Sequence, residues 1–138
     1  MDVGSRGRQA ALLRHATDGV KISRIAASAA ALWQDVDLAL SPIIGALGVR
    51  AIYRRSVNVI RERYPWLQGA YAQPADSEPF AVLKAALEQQ TPTTAAAANG
   101  ALLQAFYEVL EQLIGGSLTT RLLEPALDKR ATGDVQET

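Results

Sequence analysis

One recurring pattern restricts the fold of this 138-residue chain more than any other feature. It consists of a long apolar-striped segment, an Ile-Gly pair and a second amphipathic segment. The first copy contains LSPIIGALGVRAIYRRSVNVIRERY over residues 40–64, and the second contains LEQLIGGSLTTRLL. A shift of seventy residues superposes Gly45 on Gly115. Because glycine tolerates the left-handed backbone that follows a helix end, each copy predicts an αα-hairpin with this glycine at its turn.

The near-repeat has two interpretations. An internal duplication would make the two hairpins related by pseudo-symmetry. Alternatively, two unrelated amphipathic helices that end in glycine would align almost as well, and the match exceeds that expectation only at the Ile-Gly pairs, Ile44-Gly45 and Ile114-Gly115. The helix-Gly-helix architecture is common to both interpretations.

The sequence predicts an all-α fold. Its apolar residues are mostly Ala and Leu, which are strong helix formers, and Val and Ile never alternate with polar residues over the length of a strand. We expect about five helices in bundle-like or globin-like packing, with the third helix connecting the two hairpins. They are predicted over 21–44, 48–64, 79–90, 94–114 and from Ser117 or Thr119 to Leu127.

Local signals place the helix ends and the loops. Pro42 should kink or end the first helix near Leu40 or Ser41, or begin a separate turn that ends at Gly45. Residues 68–78 are a loop by composition. Ser77 is the expected N-cap of the third helix, and Thr93 or Thr94 that of the fourth.

The chain divides into three predicted parts. Residues 1–19 are polar and contain glycine without a clear period, which is typical of a flexible N-terminal arm. Residues 20–127 form a single helical domain. Residues 128–138 are polar and are expected to be a disordered tail.

Composition argues against most catalytic and metal-binding classes. There is no cysteine, so disulfides, thiolate metal sites and cysteine nucleophiles are excluded. His15 is the single histidine and lies in the predicted arm, which argues against a haem ligand, a phosphotransfer site or a histidine metal site. Neither a phosphate-binding glycine loop nor a GxSxG motif occurs. We therefore expect no enzyme activity, no metal and no cofactor.

Two pairs of carboxylates fit the same conclusion. They are Asp35 with Asp37 and Glu108 with Glu111, and no histidine neighbours complete them. We interpret both pairs as solvated helix faces.

The sequence predicts a cytoplasmic protein without a membrane segment. No apolar run approaches the ~18 residues of a membrane span, and the first residues lack the continuous apolar core of a signal peptide. The usage of Ala and Arg indicates a GC-rich bacterial source.

The net charge is zero, but it is unevenly distributed along the chain. Ten basic and five acidic residues occur through Arg63, and four basic and nine acidic residues follow, so the parts carry charges of +5 and −5. The two parts could attract each other within one chain, or two subunits could attract each other in a homodimer.

Two sets of side chains are candidate binding residues. Arg50, Arg54 and Arg61 form an edge of the second helix, and guanidinium groups suit carboxylate and phosphate partners. The alternative is a solvated face paired with acids of the C-terminal half. Trp33, Tyr53 and Ser56 could line a pocket between the hairpins. Core packing is the alternative for these three, with the serine hydrogen-bonded back to its own helix.

The expected function is that of a small non-catalytic regulatory or protein-interaction domain in bacterial signalling. It would act as a homodimer and bind another protein, because amphipathic helices and complementary charges are present while catalytic motifs are missing. A first alternative is a helical sensor that binds a small apolar or anionic ligand between its hairpins. A second is nucleic-acid binding through the arginine-rich helix, against which the near-neutral charge argues.

Overall fold

A computed structural model describes the backbone of residues 3–73 and 78–137, and the side chains of residues 19–73 and 78–127. Over these residues the chain forms six α-helices and one 3-10 turn, without a strand. The all-α, bundle-like fold predicted from the sequence is confirmed. The helices are α1 (Val3–Ile44), α2 (Ala46–Ile60), α3 (Gln68–Ala72), α4 (Pro79–Glu88), α5 (Pro92–Ile114) and α6 (Gly116–Glu137), and the 3-10 turn is Pro65–Leu67.

Single glycines join α1 to α2 and α5 to α6. Gly45 has φ 84° and ψ 154°, and Gly115 has φ 88° and ψ 156°, a backbone region that is essentially restricted to glycine. Each glycine donates its N–H to the carbonyl four residues earlier at 2.8 Å and accepts from the N–H four residues later at 3.1 Å. One residue therefore closes the last turn of one helix and opens the first turn of the next. The two breaks share this geometry, and an internal duplication stays a prediction.

α1 is the helix against which most of the others pack. It contacts α2, α4, α5 and α6, while α5 contacts α2 and α6. The two hairpins therefore meet through three helix pairs, α1 with α5, α1 with α6, and α2 with α5. α4 lies on α1, and α3 contacts both α2 and α4.

Trp33 lies at the centre of the core and is 1% exposed. Its ring packs edge-on against Tyr53 and Phe106, with centroid separations of 5.6 and 5.1 Å, and is stacked with Phe80 at 6.3 Å. Its indole N–H donates to Asn99 Oδ1 at 2.9 Å. Each such aromatic pair stabilises by about 0.5–1.5 kcal/mol beyond the burial of its area. One side chain of α1 thus binds α2, α4 and α5 together.

α1 differs from the predicted first helix at its start and agrees with it at its end, Ile44. It begins at Val3, not near residue 21. The glycines of the predicted arm did not end the helix because each costs only about 1 kcal/mol in a helix interior. α6 likewise continues to Glu137, beyond the predicted end at Leu127. The division into an arm (1–19), a domain (20–127) and a tail (128–138) stays a prediction.

The helix end expected near Leu40 or Ser41 was wrong, because α1 continues through Pro42 to Ile44. A kink at Pro42 stays a prediction. Proline removes one N–H donor and crowds the carbonyl four residues back. That cost falls in the last turn of the helix, where the Ser41 carbonyl still accepts from Gly45 N–H at 2.8 Å. The glycine, not the proline, ends the helix.

The segment between the hairpins also differs from the prediction. The predicted loop over 68–78 begins with α3, and α2 ends at Ile60, not near residue 64. The cap of α5 is Thr91, whose Oγ1 accepts from Thr94 N–H at 3.2 Å, so the prediction of Thr93 or Thr94 as the cap was wrong. Ser77 lies outside the described residues.

Across the helices that the structure describes, no stretch combines the length and hydropathy that a bilayer crossing requires.

We expect Gly45→Ala and Gly115→Ala each to lower the free energy of unfolding by about 1–3 kcal/mol, the usual cost of holding a residue with a Cβ in this backbone region. A Cβ at either position meets nothing within 4 Å, so the cost is conformational and not steric. Chemical denaturation would measure it. Gly100→Ala is the control: its Cβ also meets nothing within 4 Å, but it lies inside α5 and should stabilise by about 0.5–1 kcal/mol. Unchanged stability of Gly45→Ala would contradict the role assigned to the break.

Candidate functional site

A cleft of about 400 Å³ lies between α2 on one side and α3 with the start of α4 on the other. Its apolar lining residues are Leu47, Ala51, Ala70 and Pro79. Its polar lining residues are Arg50, Tyr53, Arg54 and Gln73. A concave surface with a mainly apolar wall and a few polar groups is typical of a small-molecule site.

Helical spacing explains which residues of α2 reach the cleft. Leu47, Arg50, Ala51 and Arg54 follow the i, i+3, i+4, i+7 spacing that places side chains on one helix face. The opposite face is buried in the core through Val49, Ile52, Ser56, Val57 and Ile60. Tyr53 belongs to both faces, because its ring lies in the aromatic core and the residue also lines the cleft.

Tyr53 places a buried polar group beside the cleft. The residue is 3% exposed, and its hydroxyl has no hydrogen-bond partner among the described residues. Burial raises the pKa of Tyr53 well above its ordinary value, so the hydroxyl stays neutral at physiological pH and can both donate and accept. Leaving such a group without a partner costs about 1–3 kcal/mol, and most buried polar groups in native proteins avoid that cost.

The arginine edge of α2 holds α3 in place. Arg54 donates from Nε to the Tyr71 carbonyl at 3.1 Å, and its guanidinium lies 4.6 Å from the centre of the Tyr71 ring. Arg61 lies 4.0 Å from the same ring and donates to Gln68 Oε1 at 2.7 Å. Cation–π contacts of this kind contribute about 0.5–1 kcal/mol at exposed sites. The partners that the structure gives Arg54 and Arg61 are thus on α3, whereas the sequence suggested acids of the C-terminal half.

The structure separates the three residues predicted to line a pocket between the hairpins. Trp33 is in the core and donates to Asn99. Ser56 is fully buried and donates from Oγ to the Ile52 carbonyl at 2.7 Å, as the core-packing alternative predicted. Tyr53 alone of the three lines the cleft.

The predicted arginine set is divided as well. Arg50 and Arg54 line the cleft, whereas Arg61 lies beyond it on Tyr71. Ligand binding by any of these residues stays a prediction.

Sequence reasoning missed the apolar half of the cleft. Leu47 and Ala51 are four residues apart and lie off the core stripe of α2, which was the one available signal for a second apolar surface. Ala70 and Pro79 come from the segment between the hairpins. Ala70 lies in the predicted loop over 68–78, to which no helix face could be assigned, and Pro79 begins the predicted third helix, whose packing against α2 was not predicted.

The remaining polar candidates have local roles. Asp37 Oδ1 accepts from Ser41 Oγ at 2.8 Å, and Glu108 Oε1 accepts from Gln104 Nε2 at 2.9 Å. Among the side chains that the structure describes, no three His, Cys, Asp or Glu residues are grouped closely enough to hold a metal ion. The side chain of His15 lies outside that set.

Comparison with known proteins gives this site no precedent: no protein-family model, curated protein or solved structure matches the chain. The chemistry of the cleft is therefore argued from its own geometry.

We expect Tyr53→Phe to raise the free energy of unfolding by about 1–3 kcal/mol in the absence of ligand, because it removes a buried hydroxyl that lacks a partner. Thermal or urea denaturation would measure the change. Tyr107→Phe is the matched control, because the Tyr107 hydroxyl is hydrogen-bonded to Thr120. Its loss should lower stability by about 0.5–1 kcal/mol. Equal destabilisation by both substitutions would show that the Tyr53 hydroxyl has a partner after all.

Proposed function

We propose that the protein is a non-catalytic helical sensor domain that binds a small ligand in the cleft between α2 and α3–α4. The observation that carries this proposal is that Tyr53, a residue that lines the cleft, has a buried hydroxyl without a hydrogen-bond partner among the described residues. A ligand that hydrogen-bonds to this hydroxyl removes the cost of leaving it unsatisfied. The stability given up by the free protein is then recovered as binding energy.

Two residues that line the cleft also contact other parts of the molecule, so a bound ligand can affect those parts. Arg54 lines the cleft and also binds Tyr71 of α3. Tyr53 contacts Trp33 and Phe80, with ring centroids 5.6 and 5.3 Å apart. A ligand that favours one arrangement of these side chains therefore biases both α3 and the core, which is the physical requirement for a regulatory domain.

Binding of the neutral naphthalene dye Prodan to the whole chain tests this proposal. We expect its fluorescence to shift to shorter wavelength on entering the cleft. Ala51→Leu should weaken binding by about tenfold or more, which corresponds to about 1.4 kcal/mol, because the larger side chain fills the cleft. Ala51 is exposed, so the substitution should leave the fold intact.

Ala96→Leu is the matched control, since Ala96 is also exposed on a helix but lies on α5, away from the cleft. It should leave the affinity for Prodan unchanged. Absence of saturable binding, or equal weakening by both substitutions, would reject the cleft as a ligand site.

A second candidate function is self-association as an interaction domain. Large apolar side chains are exposed within three residues of both glycine breaks: Ile43 (56% exposed) and Leu47 (76%) beside Gly45, and Leu113 (65%) and Leu118 (41%) beside Gly115. Grouped exposed apolar residues are typical of protein–protein contacts. The charges of +5 and −5 on the two parts of the chain suit a second copy as the partner. Nucleic-acid binding gains no such support, because Arg54 and Arg61 lie on Tyr71.

Sedimentation velocity over micromolar concentrations tests self-association. We expect a dimer that dissociates in Ile43→Glu and Leu113→Glu, because each substitution places a charge among the exposed apolar residues at a break. Val59→Glu is the control, since Val59 is 55% exposed but lies at the other end of α2. A monomer at every concentration would eliminate this candidate and leave the ligand-binding proposal untouched.

A further inference from the structure

We propose that α3 is a strap that opens locally in the free protein and is held closed by a ligand in the cleft. This inference rests on the proposed function and names its regulation, because the order of α3 would then depend on whether the cleft is occupied. Ala70 of α3 forms part of the cleft wall, so the cleft widens when α3 moves away from α2.

The helix α3 is too short to be stable by itself. It contains five residues, whereas isolated helices shorter than about 12–15 residues are marginal in water. No side chain of the described residues caps its first turn. Gly69 is exposed within it, and glycine lowers helix stability relative to alanine. The order of α3 therefore depends on its contacts with the rest of the molecule.

The apolar attachment of α3 is small. Ala70 is its one buried residue, and an alanine side chain is a single methyl group. The chain is anchored more firmly on both sides of α3, because Leu67 of the 3-10 turn and Phe80 of α4 are 1% and 3% exposed. Segments with few buried apolar contacts open at lower free energy than the core, so α3 can open while the segments beside it stay in place.

Two arginines of α2 supply polar contacts to α3. The guanidinium groups of Arg54 and Arg61 lie 4.6 and 4.0 Å from the centre of the Tyr71 ring, and Arg61 donates to Gln68 Oε1. Arg54 is exposed and Tyr71 is half-buried, and cation–π contacts are weak where water has access to them. The two arginines therefore order α3 against α2 through contacts that a local opening can break.

A ligand shifts this equilibrium because the cleft has walls on both helices. Leu47 and Ala51 lie on α2, and Ala70 lies on α3. An apolar molecule contacts both walls only while α3 is closed, so it binds the closed form more tightly and raises its population. At saturation the opening is suppressed in proportion to the ratio of ligand concentration to dissociation constant.

Labelling of single introduced cysteines with iodoacetamide measures the opening, because the chain has no cysteine of its own. Ala70→Cys reports on α3. Ala29→Cys is the matched control, since Ala29 is equally buried, at 2% exposed, but lies in the core on α1. We expect Ala70→Cys to be labelled at least about tenfold faster, at a rate nearly independent of urea, because a local opening exposes little surface.

Labelling of Ala29→Cys should instead rise steeply with urea, because it requires the core to unfold. Amide hydrogen exchange in the unsubstituted chain gives the same comparison, between residues 70–72 and the core of α5, if either cysteine variant fails to fold.

Two further substitutions in the Ala70→Cys chain should move the labelling rate in opposite directions. Tyr71→Leu removes the ring on which both guanidinium groups lie and should raise the rate about fivefold or more. Gly69→Ala should lower it about two- to fivefold, because a Cβ there meets nothing within 4 Å and alanine favours the helix. Arg55→Gln is the control, since Arg55 is exposed on α2 and does not line the cleft.

Prodan tests the coupling between the strap and the cleft. At about nine times its dissociation constant, measured by fluorescence on the same Ala70→Cys chain, we expect labelling to slow about tenfold. Labelling of Ala70→Cys that bound Prodan leaves unchanged would overturn the inference, while the fluorescence would still show a ligand site.

The labelling measured without Prodan decides the strap separately. Equal rates for Ala70→Cys and Ala29→Cys, or the same steep dependence on urea, would overturn the inference without bearing on ligand binding. If Prodan shows no saturable binding, the proposed function and the control of the strap by a ligand are both rejected, whatever the labelling rates.

Discussion

The packing of Trp33 is the interaction on which the rest of the structure depends. Its ring contacts Tyr53 of α2, Phe80 of α4 and Phe106 of α5, and its N–H is satisfied by Asn99. Aromatic residues make up only 6% of the sequence. Four of their rings pack together at this one place in the core. Alanine supplies much of the surrounding core, at positions such as Ala26, Ala29, Ala95 and Ala98. Small residues allow helix backbones to approach closely, and the large rings fill the space between the central helices together with buried aliphatic side chains such as Leu40 and Leu102.

This arrangement explains why the candidate site is where it is. Tyr53 is fixed by its ring contacts with Trp33 and Phe80, and those contacts bury its hydroxyl whether or not a partner is present. The next residue, Arg54, lines the same cleft and binds Tyr71 of α3. One turn of α2 therefore connects the core, the cleft and the short helix α3, so that a molecule bound in the cleft would contact groups belonging to all three.

The sequence predicted the parts of the fold that depend on local chemistry. Gly45 and Gly115 were assigned to the turns of two hairpins because few residues other than glycine follow a helix end so readily, and both have the expected positive φ. The core position of Ser56 was the alternative to its assignment as a pocket residue, and its Oγ donates to the Ile52 carbonyl as that alternative expected. The cleft depends on tertiary contacts and was not predictable to the same extent. Arg54 and Arg61 were recognised as an edge, but their contact with Tyr71 joins residues of separate elements. The cap at Thr91 was missed because several threonines lie next to one another there.

The single-residue breaks also determine how the loss of chain entropy on folding is divided between contacts within the hairpins and contacts between them. Within each hairpin, Gly45 or Gly115 brings two helices together without a loop, so these contacts have short sequence separation and little loop-closure entropy opposes them. The hydrogen bond from Trp33 to Asn99 spans a separation of 66 residues. The main entropic cost is therefore that of bringing two locally formed hairpins together. A topology of this kind has the low contact order of helical proteins that fold rapidly.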